Sequence, residues 1–407
     1  MKVYKVAVVG GGASGLVAGI FAGKEFGSDV VILEKTDRVG KKLLSTGNGR
    51  GNVTNEILSA KNYHSYSGCA SDFVLPAISR FDNNQTTRFL REIGVVCSAE
   101  DGRVYPMSKQ ASSVLDMMRA KIASLGTEVL TGFEVIDIER GKPFKISSSG
   151  SVIYAENVIF ACGGKCAKQF GTDGSAFGLL KKLGHKITPL FPSLVQLKTD
   201  GYLIKGLKGI KQYGEVKIIT DGKAVGSAKG DVLFTDYGIS GNAVFFVSSY
   251  CAGKNNASVS IDFLPEISFV DLKEILSEKA KNAPYLLAED LLNGVINKQI
   301  GKNILKSLGI DLNKKCPLSR INDVSGLIKS FKLKVEGTLG FDYAQVTRGG
   351  VCLSEVDSSS LSSKLCKGFY IVGEALDIDG DCGGYNLQWA FSSAYAACAD
   401  IIRRAAL

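Results

Sequence analysis

Three glycines and one acid near the start of the chain have the types and spacing to hold a dinucleotide. Gly10, Gly12 and Gly15 form G-x-G-x-x-G, and Glu34 follows Gly12 by 22 positions. In such a set the first glycine permits a tight turn, the second admits a pyrophosphate close to the backbone, and the third lets a helix pack against a strand. Ala13 and Ser14 lie inside the turn, where the first N–H groups of a helix are free to face phosphate. A carboxylate at the end of the following strand accepts hydrogen bonds from a ribose diol.

A second set lies at the other end of the chain. Gly373-Glu374 closes an apolar run, and Asp377, Asp379 and Asp381 follow in a glycine-rich loop. Gly384-Tyr385-Asn386-Leu387 then opens a terminal helix. Two glycine-opened helix starts suit a cofactor longer than one turn can hold, and FAD, bound non-covalently, fits that description. The first turn takes its pyrophosphate and Glu34 its adenosine ribose. Asp377, with Asp379 as the alternative, takes the ribitol, and the positive end of the terminal helix faces the flavin pyrimidine edge. The polar loop TDRVGKKLLSTGNGRGNVTN (36–55) leaves the ribose acid along the expected cofactor crevice. It supplies Lys41, Lys42, Asn48, Arg50 and Asn52 as donors, with Lys35 just before it. ENVIFACGG returns the chain to the cofactor at Ala161, Gly163 and Gly164.

The elements that must position these residues follow from apolar periodicity. KVAVV (5–9), LVAGIFAGKEFG and DVVILEK read as strand, helix and strand. Residues 72–95 and 110–125 have helical spacing. GTEVLTGFEVIDIERG reads as strand, turn and strand, and KPFKISSSGSVIYAENVIFACGG as a hairpin plus one more strand, together a meander capping a parallel sheet. Prolines 189 and 192 suggest a boundary near 190. SLVQLKTD, YGEVKIITDG, GDVLFTDYG, NAVFFVSSY and ASVSIDFLP then read as short strands of a small barrel or sandwich, and residues 268–330 as helices. The expected fold class is α/β: a Rossmann-like FAD-binding domain with a β-meander, an inserted β-barrel-like domain and a small helical domain. Its expected parts are 1–190, 191–266, 267–330 and 331–407, the first and last making one discontinuous cofactor domain. The insert is expected to shape the substrate side.

Composition narrows the function classes. The chain has 407 residues, 45% hydrophobic and 22% charged, ordinary for a globular enzyme. The net charge is +9, but the lysines are scattered and not interleaved with aromatics, so nucleic acid is not an expected partner. A small-molecule substrate is. Ten cysteines without C-x-x-C, and two histidines, exclude the usual zinc patterns. No run is long and apolar enough to span a bilayer. Lys2 and Lys5 precede an apolar stretch, but three consecutive glycines break it, unlike a signal core. A cytoplasmic protein with reduced thiols is expected.

GGGASGLVAGIFAG, EKTDRVGKKLLSTGNGRGNVTN, FGTDGSAFGLLKKLGHKITPLFPSLVQL, LFTDYGISGNAV and VGEALDIDGDCGGYNLQWAFSSAYAA together resemble the BaiN/RdsA-type NAD(P)/FAD-dependent oxidoreductases, bacterial flavoproteins with a glutathione-reductase-like FAD domain. The resemblance runs nearly end to end. It implies FAD in the Rossmann-like domain, barrel and helical inserts, and an adenine clamped by the backbone of Val135 in the EVIDI strand. Two positions depart from the family pattern. Gly51 stands where a Cys is usual, and Arg348 stands where a small residue is usual.

The resemblance implies a flavin oxidoreductase, with NAD(P)H as a transient electron donor because no second G-x-G-x-x-G exists for it. The leading expectation is reduction of a C=C conjugated to a ketone, as in dehydro bile acids. Oxidation of small amines such as aminoacetone is the alternative, and a flavin-dependent RNA-modifying or RNA-binding protein is a third reading. Tyr385, Tyr237 and Arg348 are the catalytic candidates: the tyrosines as proton or hydrogen-bond donors to a carbonyl, the arginine as a ligand for an anionic substrate or a stabiliser of reduced flavin, with a surface arginine as the alternative. His185 reads as a packed histidine.

Overall fold

Val6 to Val9 are buried on both sides of strand β1 (Val3–Val9), the pattern of a parallel strand covered by helices on each face. A computed structural model describes residues 2–254, 256–283 and 285–407. The chain divides into two units: residues up to Phe191 with Gln345–Leu407, and Pro192–Ala344.

In the first unit, α1 (Ala13–Phe26) carries the chain from β1 to β2 (Val30–Glu34), which pairs with β1 in parallel. Short strands β3 (Thr54–Asn55) and β4 (Tyr63–His64) precede helices α2 (Ala70–Arg80) and α3 (Asn83–Glu92). The hairpin of β5 (Cys97–Glu100) and β6 (Arg103–Pro106) pairs onto β3, and α4 (Ala111–Ser124) follows. Then β7 (Glu128–Thr131) adds to β2 in parallel, and β8 (Asp137–Glu139), β9 (Phe144–Ser147) and β10 (Val152–Phe160) form the meander. The last hairpin arm and the returning strand, read as two pieces in the sequence, are one element. The front of β10, Val152–Ala155, pairs antiparallel with β9, while from Tyr154 onward it runs parallel to β1. Val135 lies in irregular chain before β8 rather than in a strand. Helix α5 (Phe177–Lys182) and strand β11 (Phe191–Ser193) lead to the second unit.

The second unit contains strands β12 (Leu197–Thr199), β13 (Lys211–Thr220), β14 (Lys223–Phe234) and β15 (Gly238–Ser240), then α6 (Asn242–Ser248) and β16 (Ala257–Asp262). Helices α7 (Phe269–Asn282), α8 (Ala288–Leu291), α9 (Lys298–Ser307) and α10 (Ile321–Lys329) follow, and β17 (Phe331–Thr338) ends it. The strands close a barrel in the order β12-β15-β14-β13-β16-β17. Three expectations are corrected here. NAVFFVSSY is a helix: Gly241 at φ 111° breaks the strand, and the Asn242 side chain accepts the Asp231 N–H at 2.7 Å where the helix begins. Its apolar run has strand-like residue types but buries Ala243, Val244 and Val247 on one helical face. The strand from 331 does not belong to the cofactor domain, because it pairs with β12 and β16 and completes the barrel. Barrel and helices also share one hydrophobic core, in which Phe234, Phe263 and Phe331 pack with Leu272, Ile300, Ile304 and Val324. A β-rich part and a helical part are therefore not separate bodies.

The chain re-enters the first unit at β18 (Val346–Arg348), pairs β19 (Phe369–Ile371) in parallel with the end of β10, and passes β20 (Asp379–Gly380) into α11 (Tyr385–Ala405). The parallel strands thus stand in the order β7-β2-β1-β10-β19. Strand order reverses beside β1, and a crevice at the carboxyl ends of such strands is where α/β sheets take ligands. Helix α11 packs on α1, which brings the two chain ends together. Among the described residues no helix is long and apolar enough to cross a membrane.

Candidate active site

The first turn is built by backbone approach. Gly10 has φ 106°, and a Cβ there would lie 2.5 Å from the Ala161 carbonyl oxygen at the end of β10. A Cβ on Gly15 would overlap the Gly10 carbonyl itself. Gly12 differs: it has an ordinary φ of −77°, and a Cβ there meets nothing within 4 Å. The helix that starts behind it has no side-chain cap. Its first amides, at Ala13, Ser14 and Gly15, therefore border open space at the positive end of α1, which suits a pyrophosphate.

Glu34 stands where the ribose acid was expected. Its Oε2 accepts the Gly11 N–H and its Oε1 accepts the Thr36 N–H, both at 2.8 Å. An ionised carboxylate has about four acceptor sites, so two bonds orient it and leave capacity for a diol.

The second end meets the first at Gly373. A Cβ on Gly373 would sit 2.9 Å from Ser14 Oγ of α1, while the Gly373 N–H donates to Ser393 Oγ at 2.9 Å. Trp389 Nε1 donates to the Gly373 carbonyl at 3.1 Å. Helix α11 begins at Gly384, again without a side-chain cap. Two glycine-opened helix starts thus belong to one body, and the residues present fit FAD at this crevice. Gly163, at φ 73°, and Gly164 lie in the loop after β10, and Gly164 abuts Thr347 and Glu374.

The side chains expected to hold the ribitol are otherwise engaged. Asp377 is 0% exposed and accepts the N–H groups of Tyr66 and Ser67 at 2.8 and 3.1 Å. Burial raises its pKa, with the two amides opposing and the charge of Asp379 adding to the rise. Asp379 is 1% exposed and bound twice by Arg348. Neither carboxylate reaches outward. Glu374 does: its side chain keeps 19% exposure while accepting the Thr347 N–H at 2.9 Å and pairing with Lys42 at 2.8 Å. It is the least buried of the four acids of this segment.

The long polar loop also binds mostly to the protein. Asn52 is buried and donates to the Thr54 and Val104 carbonyls at 2.9 and 3.1 Å. Arg50 grips Glu100 at 2.6 and 2.8 Å and lies 4.4 Å over the Tyr105 ring. Lys41 pairs with Asp37, and Lys35 with Asp173 at 3.4 Å. Asn48 is exposed, with φ 56°. These residues shape the loop, because an ion pair or hydrogen bond already made inside the protein competes with one to a ligand. Gly51 has φ 77° and would place a Cβ 2.9 Å from the Ala111 Cα, so the local backbone is fitted to glycine.

Two of the three catalytic candidates, Tyr385 and Arg348, have their side chains committed within the protein. The Tyr385 hydroxyl donates to the Ile57 carbonyl at 3.0 Å, and burial raises its pKa. Its proton is committed to tying down the loop. Arg348 is 9% exposed and committed to Asp379. Tyr237 lies in the β14–β15 turn of the second unit, where its carbonyl accepts the Thr199 N–H at 3.0 Å. Asn386 closes the acidic loop by exchanging hydrogen bonds with Gly380 at 2.8 Å, and Leu387 packs against the core.

Other residues at this end went unnoticed in the sequence. Gln388 is fully buried and satisfied: its Oε1 accepts from Thr54 and Thr86 at 2.6 and 2.9 Å, and its Nε2 donates to the Phe81 carbonyl and Ser392 Oγ, both at 2.9 Å. It locks the polar loop onto α11. His64 Nε2 meets Asp381 Oδ1 at 2.7 Å, and Asn62 donates to the other oxygen at 3.1 Å. His185, already read from the sequence as a packed histidine, is buried: Ser363 Oγ accepts two backbone N–H groups and so turns its own proton toward His185 Nε2 at 3.0 Å. Its Nδ1 proton then goes to Glu355 at 3.1 Å.

The sequence matches the family described as HI0933-like protein Rossmann domain over residues 4–400. The chain belongs to this family. It is 35% identical over 403 residues to the 3-dehydro-bile acid delta(4,6)-reductase of Clostridium scindens, covering 97% of this chain and 98% of that one. It is 27% identical over 408 residues to the ribosomal RNA dihydrouridine synthase of Haemophilus influenzae, covering 98% of each. Among solved structures, the 3-ketosteroid delta1-dehydrogenase of Sterolibacterium denitrificans shares the fold, with TM-score 0.52 and 12% identity across 99% of this chain and all of that one. With this family membership and the site geometry, the chain is an FAD-dependent oxidoreductase on a Rossmann-type fold.

Proposed function

We propose that this enzyme reduces a carbon–carbon double bond conjugated to a carbonyl, with NAD(P)H as the source of electrons. Support for the reaction type comes from the chemistry shared by two full-length relatives. A 3-oxo steroid with double bonds at positions 4 and 6 and the uracil ring of uridine are both C=C bonds activated by a carbonyl. Adding one hydride at an electrophilic carbon of the conjugated system and one proton at its neighbour saturates one such bond in each case. Bound FAD supplies the hydride.

This chain's own part is to bind and orient. The α1 start at Gly12 takes the pyrophosphate, Glu34 the adenosine ribose and Glu374 the ribitol. The α11 start at Gly384 faces the pyrimidine edge, with Gln388 and Tyr385 fixing the loop beside it. All ten cysteines are free, which suits a reducing compartment, and the proposal places the enzyme in the cytoplasm.

The greater identity to the bile acid reductase favours a small-molecule enone over RNA. The second reading, reduction of a uridine in ribosomal RNA, is kept because a relative of that name matches end to end. The experiment is anaerobic reduction of the FAD-loaded protein with NADH or NADPH, followed by mixing with a 3-oxo-4,6-diene steroid, a simple cyclic enone or deproteinised ribosomal RNA. Reoxidation by the steroid or enone, with a product two hydrogens heavier, is expected. Reoxidation by RNA alone would move the assignment to the second reading. Reduction of the flavin by amines but not by nicotinamide would replace both with an oxidase.

A further inference from the structure

The positive end of α11 is joined by a cation that no carboxylate among the described residues holds. Arg103 sits half-buried on β6, and a Cβ on Gly383 would lie 3.8 Å from its Nε. Its register partner across the β5–β6 pair is Glu100. That carboxylate is already taken by Arg50 at 2.6 and 2.8 Å and by Lys109 at 2.8 Å. Asp381, the acid on the adjoining loop, is held by His64 at 2.7 Å and by Asn62 at 3.1 Å. Among the described residues the Arg103 guanidinium has no hydrogen-bond or ion-pair partner. Its field still reaches the turn: burial raises the pKa values of the Cys382 thiol and the Tyr385 phenol, and Arg103 opposes both rises.

A half-buried charge without a counter-charge is unfavourable. A helix start without a cap adds positive potential at the same turn. Both are offset if an electron-rich group sits there, and the group this crevice fits is the flavin. We infer that Arg103 faces the pyrimidine edge of bound FAD and raises its reduction potential by stabilising the negative charge that edge acquires. Two electrons and one proton convert the oxidised ring to its reduced anion, and the added charge is spread over N1 and the C2 carbonyl. The inference rests on FAD being the cofactor, and not on which substrate is reduced.

The test uses the full-length protein loaded with FAD, and Arg103→Met and Arg103→Lys. Dithionite or an equilibrating dye couple serves as reductant, and the midpoint potential is read from the visible spectrum. Arg103→Met should lose about tenfold in its preference for reduced over oxidised FAD, which for a two-electron couple is about 30 mV more negative. Arg103→Lys, which keeps the charge, should recover most of that shift. A wild-type potential in FAD-loaded Arg103→Met overturns the inference.

If Arg103→Met does not fold, the wild-type protein decides. Its reduced flavin should keep the anionic absorption from about pH 8 to about pH 5.5, because a neighbouring cation favours the charged form. Conversion to the neutral reduced form near the pH at which free FAD converts overturns the inference. Wild-type protein that takes up no FAD would overturn both the inference and the cofactor assignment beneath it.

Discussion

Arg348 Nε and Nη2 bind the two carboxylate oxygens of Asp379 at 2.8 and 3.0 Å, in a corner where the acid is 1% and the arginine 9% exposed. Asp379 also pairs through its backbone with His64, so this contact connects β18 and β20 to β4. A bidentate pair this deep holds its geometry well but leaves a bare charge if either half is removed. Arg348→Leu should therefore cost about 3–5 kcal/mol in urea-induced unfolding. Arg348→Leu combined with Asp379→Asn should regain most of the loss. A single variant as stable as the wild type would show that the pair is not the anchor of this corner.

Gly12 and Gly15 separate fold from cofactor binding. A Cβ on Gly12 meets nothing within 4 Å, whereas one on Gly15 overlaps the Gly10 carbonyl. Gly12→Val should melt within a few degrees of the wild-type apoprotein yet bind FAD at least about tenfold more weakly, because its side chain fills the space before the α1 amides. Gly15→Val should fail to fold. Unchanged FAD affinity in Gly12→Val, measured by fluorescence quenching, would move the pyrophosphate elsewhere.

His185 provides a pH dependence with a defined sign. Burial lowers its pKa below the ordinary value of 6.5, with Glu355 opposing and Arg140 assisting. The unfolded chain then binds the proton more readily than the folded one, so stability rises with pH across this window. The contribution is complete above pH 6.5 and is lost as pH falls from there toward the lowered value. Unfolding free energy measured at steps through that range should fall with acid in the wild type and fall less in His185→Gln.

Tyr385→Phe tests the hydroxyl that donates to the Ile57 carbonyl. Since that proton is committed to the backbone, turnover should change less than threefold, while stability drops by about 1 kcal/mol, the net worth of one hydrogen bond. A hundredfold loss of turnover at unchanged FAD affinity would restore a catalytic role.

The sequence alone determined the β1–α1–β2 turn, the acid after β2, and a second helix start near the C-terminus. Those features are local, since glycine spacing and apolar period are set by neighbours a few residues apart. It was less decisive where residue type and context disagreed, as in NAVFFVSSY, whose strand-like side chains lie on one face of a helix. Tertiary structure decided which polar groups remain for a cofactor. Asp377 is occupied by amides more than 300 positions away, and Asn55 ties Gly383 across 328 positions. Glu374 and Arg103 stand out only once the partners of Asp379 and Glu100 are known. The barrel is likewise closed by β17, which follows four helices in the chain. Burial and pairing at these positions are settled by residues distant in sequence, and no local pattern records which of several acids or cations a folded chain has already used.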